Sequence, residues 1–174
     1  MSDILRYPIG KYEPQPFSKE QKEKWLMDIK FLPKDVEFAI QNLDYEQLET
    51  PYRKGGWTVQ QVVHHIADSH MNAYTRFKLG LTEDGPTIKP YDEKKWAQLI
   101  DVETVPINVS ITLLHALHQR LYVVLKDLKD KQWERTVVHP ANGKMTLWHL
   151  LGQYAWHGRH HVRHITALRE RMDW

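Results

Sequence analysis

Apolar residues recur at steps of three and four in four separate stretches of this chain. In the first, Trp25, Ile29, Leu32, Val36, Ala39 and Leu43 fall on one stripe of a helix. Ser18 precedes the stripe as a candidate N-cap, with Gln21 three residues on as its capping-box partner. Pro33 lies inside the stripe and is expected to kink or split the helix, because proline removes a backbone donor and crowds the preceding turn. The second stretch follows Gly55 and Gly56, with Thr58 as N-cap and Gln61 completing another capping box. Its buried arc is Val59, Val62, Val63, Ile66, Ala73, Phe77 and Leu81. The third starts near Ser110 and carries Leu113, Leu114, Leu117, Leu121, Val124 and Leu128. The fourth follows the turn-like run His139-Pro140-Ala141-Asn142-Gly143 and has Thr146 as N-cap. Its stripe is Leu147, Leu150, Leu151, Tyr154, Ile165, Leu168 and Met172.

No stretch alternates convincingly with a strand's period of two, so the pattern predicts an all-α four-helix bundle. Long connections separate the first helix from the second and the second from the third. The latter, from Thr82 to Val105, contains Pro86 and Pro90 and is followed by Pro106, with room for a short helix around Asp92 to Ile100. Links of this length permit crossovers, so an up-down-up-down order is not imposed, and such loops often serve as lids. The chain reads as one domain over residues 1–174, without repeats or a low-complexity linker.

Composition narrows the function classes. The 24 basic side chains are nearly matched by 22 acidic ones, for a formal net charge of +2, and no Lys/Arg cluster suited to tracking phosphates is present. Nucleic acid is therefore not expected as a partner. The absence of cysteine excludes a disulfide framework, a thiolate metal site and a cysteine nucleophile. No apolar run is long enough for a membrane span, and Met1 to Gly10 has none of signal-peptide length. A cytoplasmic protein is expected. Eleven histidines are the compositional oddity, and four of them fall between His157 and His164.

On a helical wheel of about 100° per residue, His157 and His161 lie within ~40° of each other in the apolar arc of the fourth helix. There they take places where leucines are expected. Two imidazoles four residues apart on one face converge on one ion, and burying such a pair without partners costs several kcal/mol. Two core histidines satisfied by hydrogen bonds are the bland alternative. His160 lies on the flank of this arc and His164 on its border. A catalytic metal site of the usual kind needs a third protein ligand, from another helix. On the second helix the wheel favours His70, inside the arc, over His65 on its flank, while His64 points nearly opposite. On the third, His118 is a flank position and His115 faces away.

The run Trp57-Thr58-Val59-Gln60-Gln61-Val62-Val63-His64-His65-Ile66-Ala67-Asp68, followed by Trp156-His157-Gly158-Arg159-His160-His161, resembles the DinB-like superfamily. More narrowly it resembles the YfiT group of metal-dependent hydrolases, which is related to bacillithiol S-transferases. Tyr7 to Tyr12, Ala67 to Asn72 and Lys89 to Trp96 agree with that likeness, which extends from Tyr7 to about Met172. The resemblance implies a four-helix bundle, usually a homodimer, with one divalent ion such as zinc or nickel on three histidines. Its ligand positions correspond here to His65, His157 and His161, so pattern and resemblance disagree on the second helix. The chain departs from the wider superfamily at Val162-Arg163-His164, where Arg-Gly-Gln often stands.

Three neutral imidazoles would leave a divalent ion an open coordination position. Water there has its pKa lowered toward ~7, which suits hydrolysis of an ester or amide in a small-molecule substrate. The same position could instead hold a low-molecular-weight thiol, brought as a cosubstrate because the chain has no cysteine, for S-transfer. A binding or purely structural metal site is the non-catalytic reading. Asp68, Asp92 and Glu93 are candidate carboxylates without an assigned catalytic role, and Tyr91 and Trp96 are candidate entrance aromatics.

Overall fold

The computed structural model describes residues 2–174, so Met1 lies outside the described residues. In chain order the elements are α1 (Ser2–Arg6), α2 (Lys19–Ile40), α3 (Tyr45–Leu48), α4 (Val59–Thr82), α5 (Glu93–Trp96), α6 (Ile100–Thr104) and α7 (Ile107–Lys126). A 3-10 turn (Asp130–Glu134), a hairpin of β1 (Thr136–His139) and β2 (Gly143–Thr146), and α8 (Leu147–Met172) complete the chain. The four long helices, α2, α4, α7 and α8, form a four-helix bundle. The side chains of Ser18, Thr58 and Thr146 accept from the N–H groups of Gln21, Gln61 and His149, so each expected N-cap is made. Thr58 and Gln61 also form the reciprocal capping box.

Helices α2 and α4 each pack on both α7 and α8. Contacts along each pair fix the directions. Trp25 meets Trp148 and Arg169 donates to the Ala39 carbonyl, so α2 and α8 run parallel. His64 meets Ser110 and His70 meets His118, so α4 and α7 also run parallel. Arg76 meets Tyr154 while His65 meets His157, which makes α4 and α8 antiparallel. The order is up-down-down-up. Parallel α4 and α7 oblige the connection between them to travel back along the bundle, which explains its length. It is pinned on the way, by Ile88 N–H to the Val138 carbonyl, Gln61 Nε2 to the Ala97 carbonyl, and Gln60 Nε2 to the Val102 carbonyl.

Five details differ from the sequence pattern. Helix α2 runs unbroken through Pro33 rather than splitting there. Helix α7 begins at Ile107, with Pro106 as its N-cap, because proline's fixed φ suits a helix start. Its core stripe is Ile111, Leu114, His118, Leu121 and Leu125, while Leu113 is exposed. The run Thr136–Thr146 closes as an antiparallel pair with Val137 opposite Met145, and strands this short carry too little alternation to read. Met172, placed in the fourth stripe, is also exposed.

The apolar interior is divided. One cluster gathers Trp25, Phe77, Leu121, Trp133, Trp148 and Leu151, and the other Leu32, Val36, Val63, Ile66, Leu114 and Ile165. Between them lies a layer of buried histidines, drawn from α4, α7 and α8. Among the described residues no helix is long and apolar enough to cross a membrane.

Candidate metal centre

His157 and His161 stand one turn apart on α8, and antiparallel packing brings His65 of α4 against them. The three offer ligand nitrogens that all lie within 4.8 Å of one another. His65 Nε2 is 3.1 Å from His157 Nε2, and His161 stands 4.5 Å from His157 and 4.8 Å from His65, centroid to centroid. His65 and His161 are buried, whereas His157 stays partly open. Gly158 sets the depth of this face, because a Cβ there would lie 2.8 Å from the Leu32 side chain. Close approach of α2 and α8 thus requires glycine between the two α8 histidines.

A chain of hydrogen bonds fixes which nitrogen of His161 is free, and a contact places the nitrogens of His157. His164 Nε2 donates to the Arg6 carbonyl at 3.1 Å, which leaves His164 Nδ1 as an acceptor. His161 Nδ1 lies 3.3 Å from it and donates, so the lone pair of His161 is on Nε2. On the other side His157 Nδ1 lies 3.4 Å from His70 Nε2, leaving His157 Nε2 to face His65. Both α8 imidazoles are therefore backed by another histidine on Nδ1. Burial, reinforced by neighbouring imidazoles, pushes His65 down to about 4 and His157 and His161 well below their usual range. All three are neutral at pH 7, the form that ligates a metal.

His70, which the helical wheel ranked first, is fully buried but sits behind His157 rather than beside His65. Helix α4 is covered by both α7 and α8, so its buried arc is wide enough to take in His64, His65 and His70 together. His64 turns to α7, bonding Ser110 Oγ and the Val105 carbonyl. His160 stacks on Trp156, and His164 stacks on Tyr52 while backing His161. His118, expected on a flank, is buried beside His70, with ring centroids 4.8 Å apart. Its Nδ1 donates to the Ile29 carbonyl, so its Nε2 is an acceptor, and that atom and His70 Nδ1 are buried without partners.

The triad faces a cleft of about 1020 Å³. Trp57, tilted against His65, and Trp156 flank it, and Tyr91 and Lys94 of the returning connection line its rim. Tyr91 is thus an entrance residue, while Trp96 packs on Tyr91 and is not part of the wall. Asp92 accepts from Lys95 N–H as the cap of α5. Asp68 is half-buried, its carboxyl pushed up to about 6 by desolvation and by Asp101, but it does not line the cleft. Glu93 is the one carboxylate on the described wall. Among the wall residues, Arg76 escaped sequence reasoning, and Tyr154 was read only as part of the apolar stripe. Arg76 and Tyr154 are bonded across α4 and α8 at 2.7 Å, a pairing that only the helix directions create.

Comparisons with known proteins agree with the four-helix bundle. A profile of the DinB superfamily matches residues 29–165. Proteins of Bacillus cereus (strain 03BB102) and Bacillus thuringiensis subsp. konkukian (strain 97-27), each named "Putative metal-dependent hydrolase", are 52% identical over 171 residues, 98% of either chain. Among solved structures, YfiT from Bacillus subtilis, described as a probable metal-dependent hydrolase with an unusual four-helix bundle topology, superposes with a TM-score of 0.95 at 50% identity. That match covers 98% of this chain and 99% of YfiT. TT2238, a four-helix bundle protein, shares the fold at a TM-score of 0.59 and 18% identity, over 84% of this chain and 98% of its own.

Proposed function

Because the chain belongs to the DinB superfamily, we propose that it is a metal-dependent hydrolase of small molecules whose divalent ion is held by His65, His157 and His161. The observation that carries this reading is the convergence of three neutral imidazoles from two helices on a cleft of about 1020 Å³. The donor set fits such an ion. It consists of three nitrogens, and on α8 both Nδ1 atoms are engaged elsewhere so that the Nε2 lone pairs are free. Nitrogen-only ligation of this kind suits zinc or nickel better than calcium or magnesium. When bound, the ion supplies Lewis acidity, which polarises a carbonyl and acidifies water in an open coordination position.

The chain's own residues supply orientation. His164 and His70 hold protons on the Nδ1 atoms of His161 and His157 and so keep both rings turned toward His65. Trp57 packs on His65 and limits its rotation. The names of the 52% identical relatives support the reaction class. Hydrolysis is tested by assaying esters and amides with the protein as purified, after chelation, and after zinc or nickel is restored. Chelator-sensitive turnover is expected, and a metal-containing protein inert toward the whole panel would overturn the hydrolase reading.

A thiol S-transferase is the second reading, favoured by a cleft large enough for two small ligands in a chain with no thiol of its own. Thiol-conjugation assays in the same series separate the two. We also propose a homodimer, supported by Phe31 and Phe38, exposed one heptad apart on α2. Light scattering is expected to show a dimer that Phe38→Asp weakens, whereas a wild-type monomer at micromolar concentration would refute it.

A further inference from the structure

Beyond the triad, the cleft carries an uneven charge. Four cationic side chains, Arg6, Arg53, Arg76 and Lys94, line it against the single carboxylate of Glu93. None of the ion pairs among the described residues involves any of the four cations. Arg76 is the most confined of them. Its guanidinium donates to Tyr154 Oη at 2.7 Å and to the Lys89 carbonyl at 3.1 Å, both neutral acceptors, and its Nε is buried without a partner. A half-buried guanidinium held in place by neutral groups has given up hydration without gaining a counter-charge.

Position makes this cation relevant to the triad. The Tyr154 ring that holds Arg76 lies 6.4 Å from His157, centroid to centroid, so Arg76 stands one side chain away from the ligand set. Tyr91 lines the same cleft from the returning connection, two residues beyond the Lys89 carbonyl that holds Arg76. Opposite, Arg53 donates to Tyr52 Oη, and Tyr52 stacks on His164, which backs His161. We propose that the substrate is an anion of carboxylate type, whose charged group is seated by Arg76 at the Tyr154 and Tyr91 end of the cleft while the bond to be broken faces the triad. The proposal rests on the hydrolase reading for the reaction but not for the binding of the anion. Arg76 suits a carboxylate because a planar guanidinium offers several donors to two oxygens, and charge-assisted bonds of this kind are the stronger class. Arg76 is on this account a specificity residue that touches substrate and takes no part in bond cleavage.

The test uses glutarate and its uncharged analogue glutaramide, titrated against the full chain with the fluorescence of the cleft tryptophans Trp57 and Trp156 as the readout. Wild-type protein is expected to bind glutarate at least tenfold more tightly than glutaramide, and Arg76→Gln to lose about tenfold or more for glutarate alone. Arg76→Lys should fall between them, because it keeps the charge without the fork. Since a carboxylate can also sit on an ion, both titrations are repeated after chelation, and the preference for glutarate is expected to persist. Equal affinity for the two probes, or undiminished glutarate binding in Arg76→Gln, would overturn the proposal. If Arg76→Gln does not fold, the wild-type comparison in chelated protein decides, because it needs no substitution. Failure of the metal reading would look different: no ion in elemental analysis, with the glutarate preference intact.

Discussion

His118 on α7 donates its Nδ1 proton to the carbonyl of Ile29 on α2, and that carbonyl is the one Pro33 leaves without a helical donor. In an unbroken α-helix the N–H of residue 33 would take it. Proline has none, so a neighbouring helix supplies the missing proton. This explains how α2 passes through Pro33 in the middle of a buried face, and it gives a core histidine a structural task.

The pairing predicts a coupling. His118→Leu fills the site but strands a buried carbonyl, at a cost of about 1–3 kcal/mol. In Pro33→Ala/His118→Leu the new N–H of residue 33 takes the carbonyl, and most of that loss should be recovered. Urea unfolding of the four proteins of the cycle measures it. Purely additive effects would mean that His118 contributes packing and nothing to α2.

The backing histidines predict graded metal affinity. His70→Ala and His164→Ala remove the groups that hold Nδ1 of His157 and His161, and each should weaken metal binding about 10- to 100-fold without abolishing it. His160→Ala should do less, because His160 stacks on Trp156 and its Nδ1 meets no ligand nitrogen. Competition with a chromophoric chelator gives the three affinities. An ordering with His160 as the most sensitive position would contradict the assigned roles.

Much of this arrangement was legible in the chain, for reasons that can be named. The caps at Ser18, Thr58 and Thr146 are local chemistry, and local chemistry reads directly. His157 and His161 were visible because they interrupt a leucine stripe at helical spacing. His65 was singled out through resemblance alone, since a wheel assumes one buried face and α4 has two. His118 was placed on a flank because the α7 stripe was read through Leu113 and Leu117 as well as Leu114 and Leu121, whereas the buried steps of three and four run Ile111, Leu114, His118, Leu121 and Leu125. The meeting of Arg76 with Tyr154 was beyond reach, as it depends on helix direction, which no local pattern encodes.

Burial of so many imidazoles also sets a pH dependence. His65, His118 and His164 are pushed down to about 4 and His160 to about 3, in each case chiefly by desolvation. The unfolded chain takes up protons on these groups near 6.5, while the folded chain refuses them until much lower pH. Stability of the chelated protein should therefore be fully present above about 6.5 and fall as pH drops toward 4, by up to about 1.4 kcal/mol per pH unit for each histidine. Asp68 works the other way, because its raised carboxyl favours folding below about 6, as do Asp28 and Asp35, which burial also raises, but the lowered histidines outnumber these three. The urea midpoint should be lower at pH 5 than at pH 7.5. An equal or higher midpoint at pH 5 would contradict the neutral histidine layer.

The identity of the third ligand separates the account from its nearest rival, because His65 and His70 both lie buried on α4 and both approach His157. Elemental analysis of protein purified with the metal it acquires, compared with His65→Ala, His70→Ala, His157→Ala and His161→Ala, measures this directly. The account predicts about one divalent ion per chain in the wild type, most of it lost in His65→Ala, His157→Ala and His161→Ala, and most of it kept in His70→Ala. Metal kept in His65→Ala and lost in His70→Ala would contradict it.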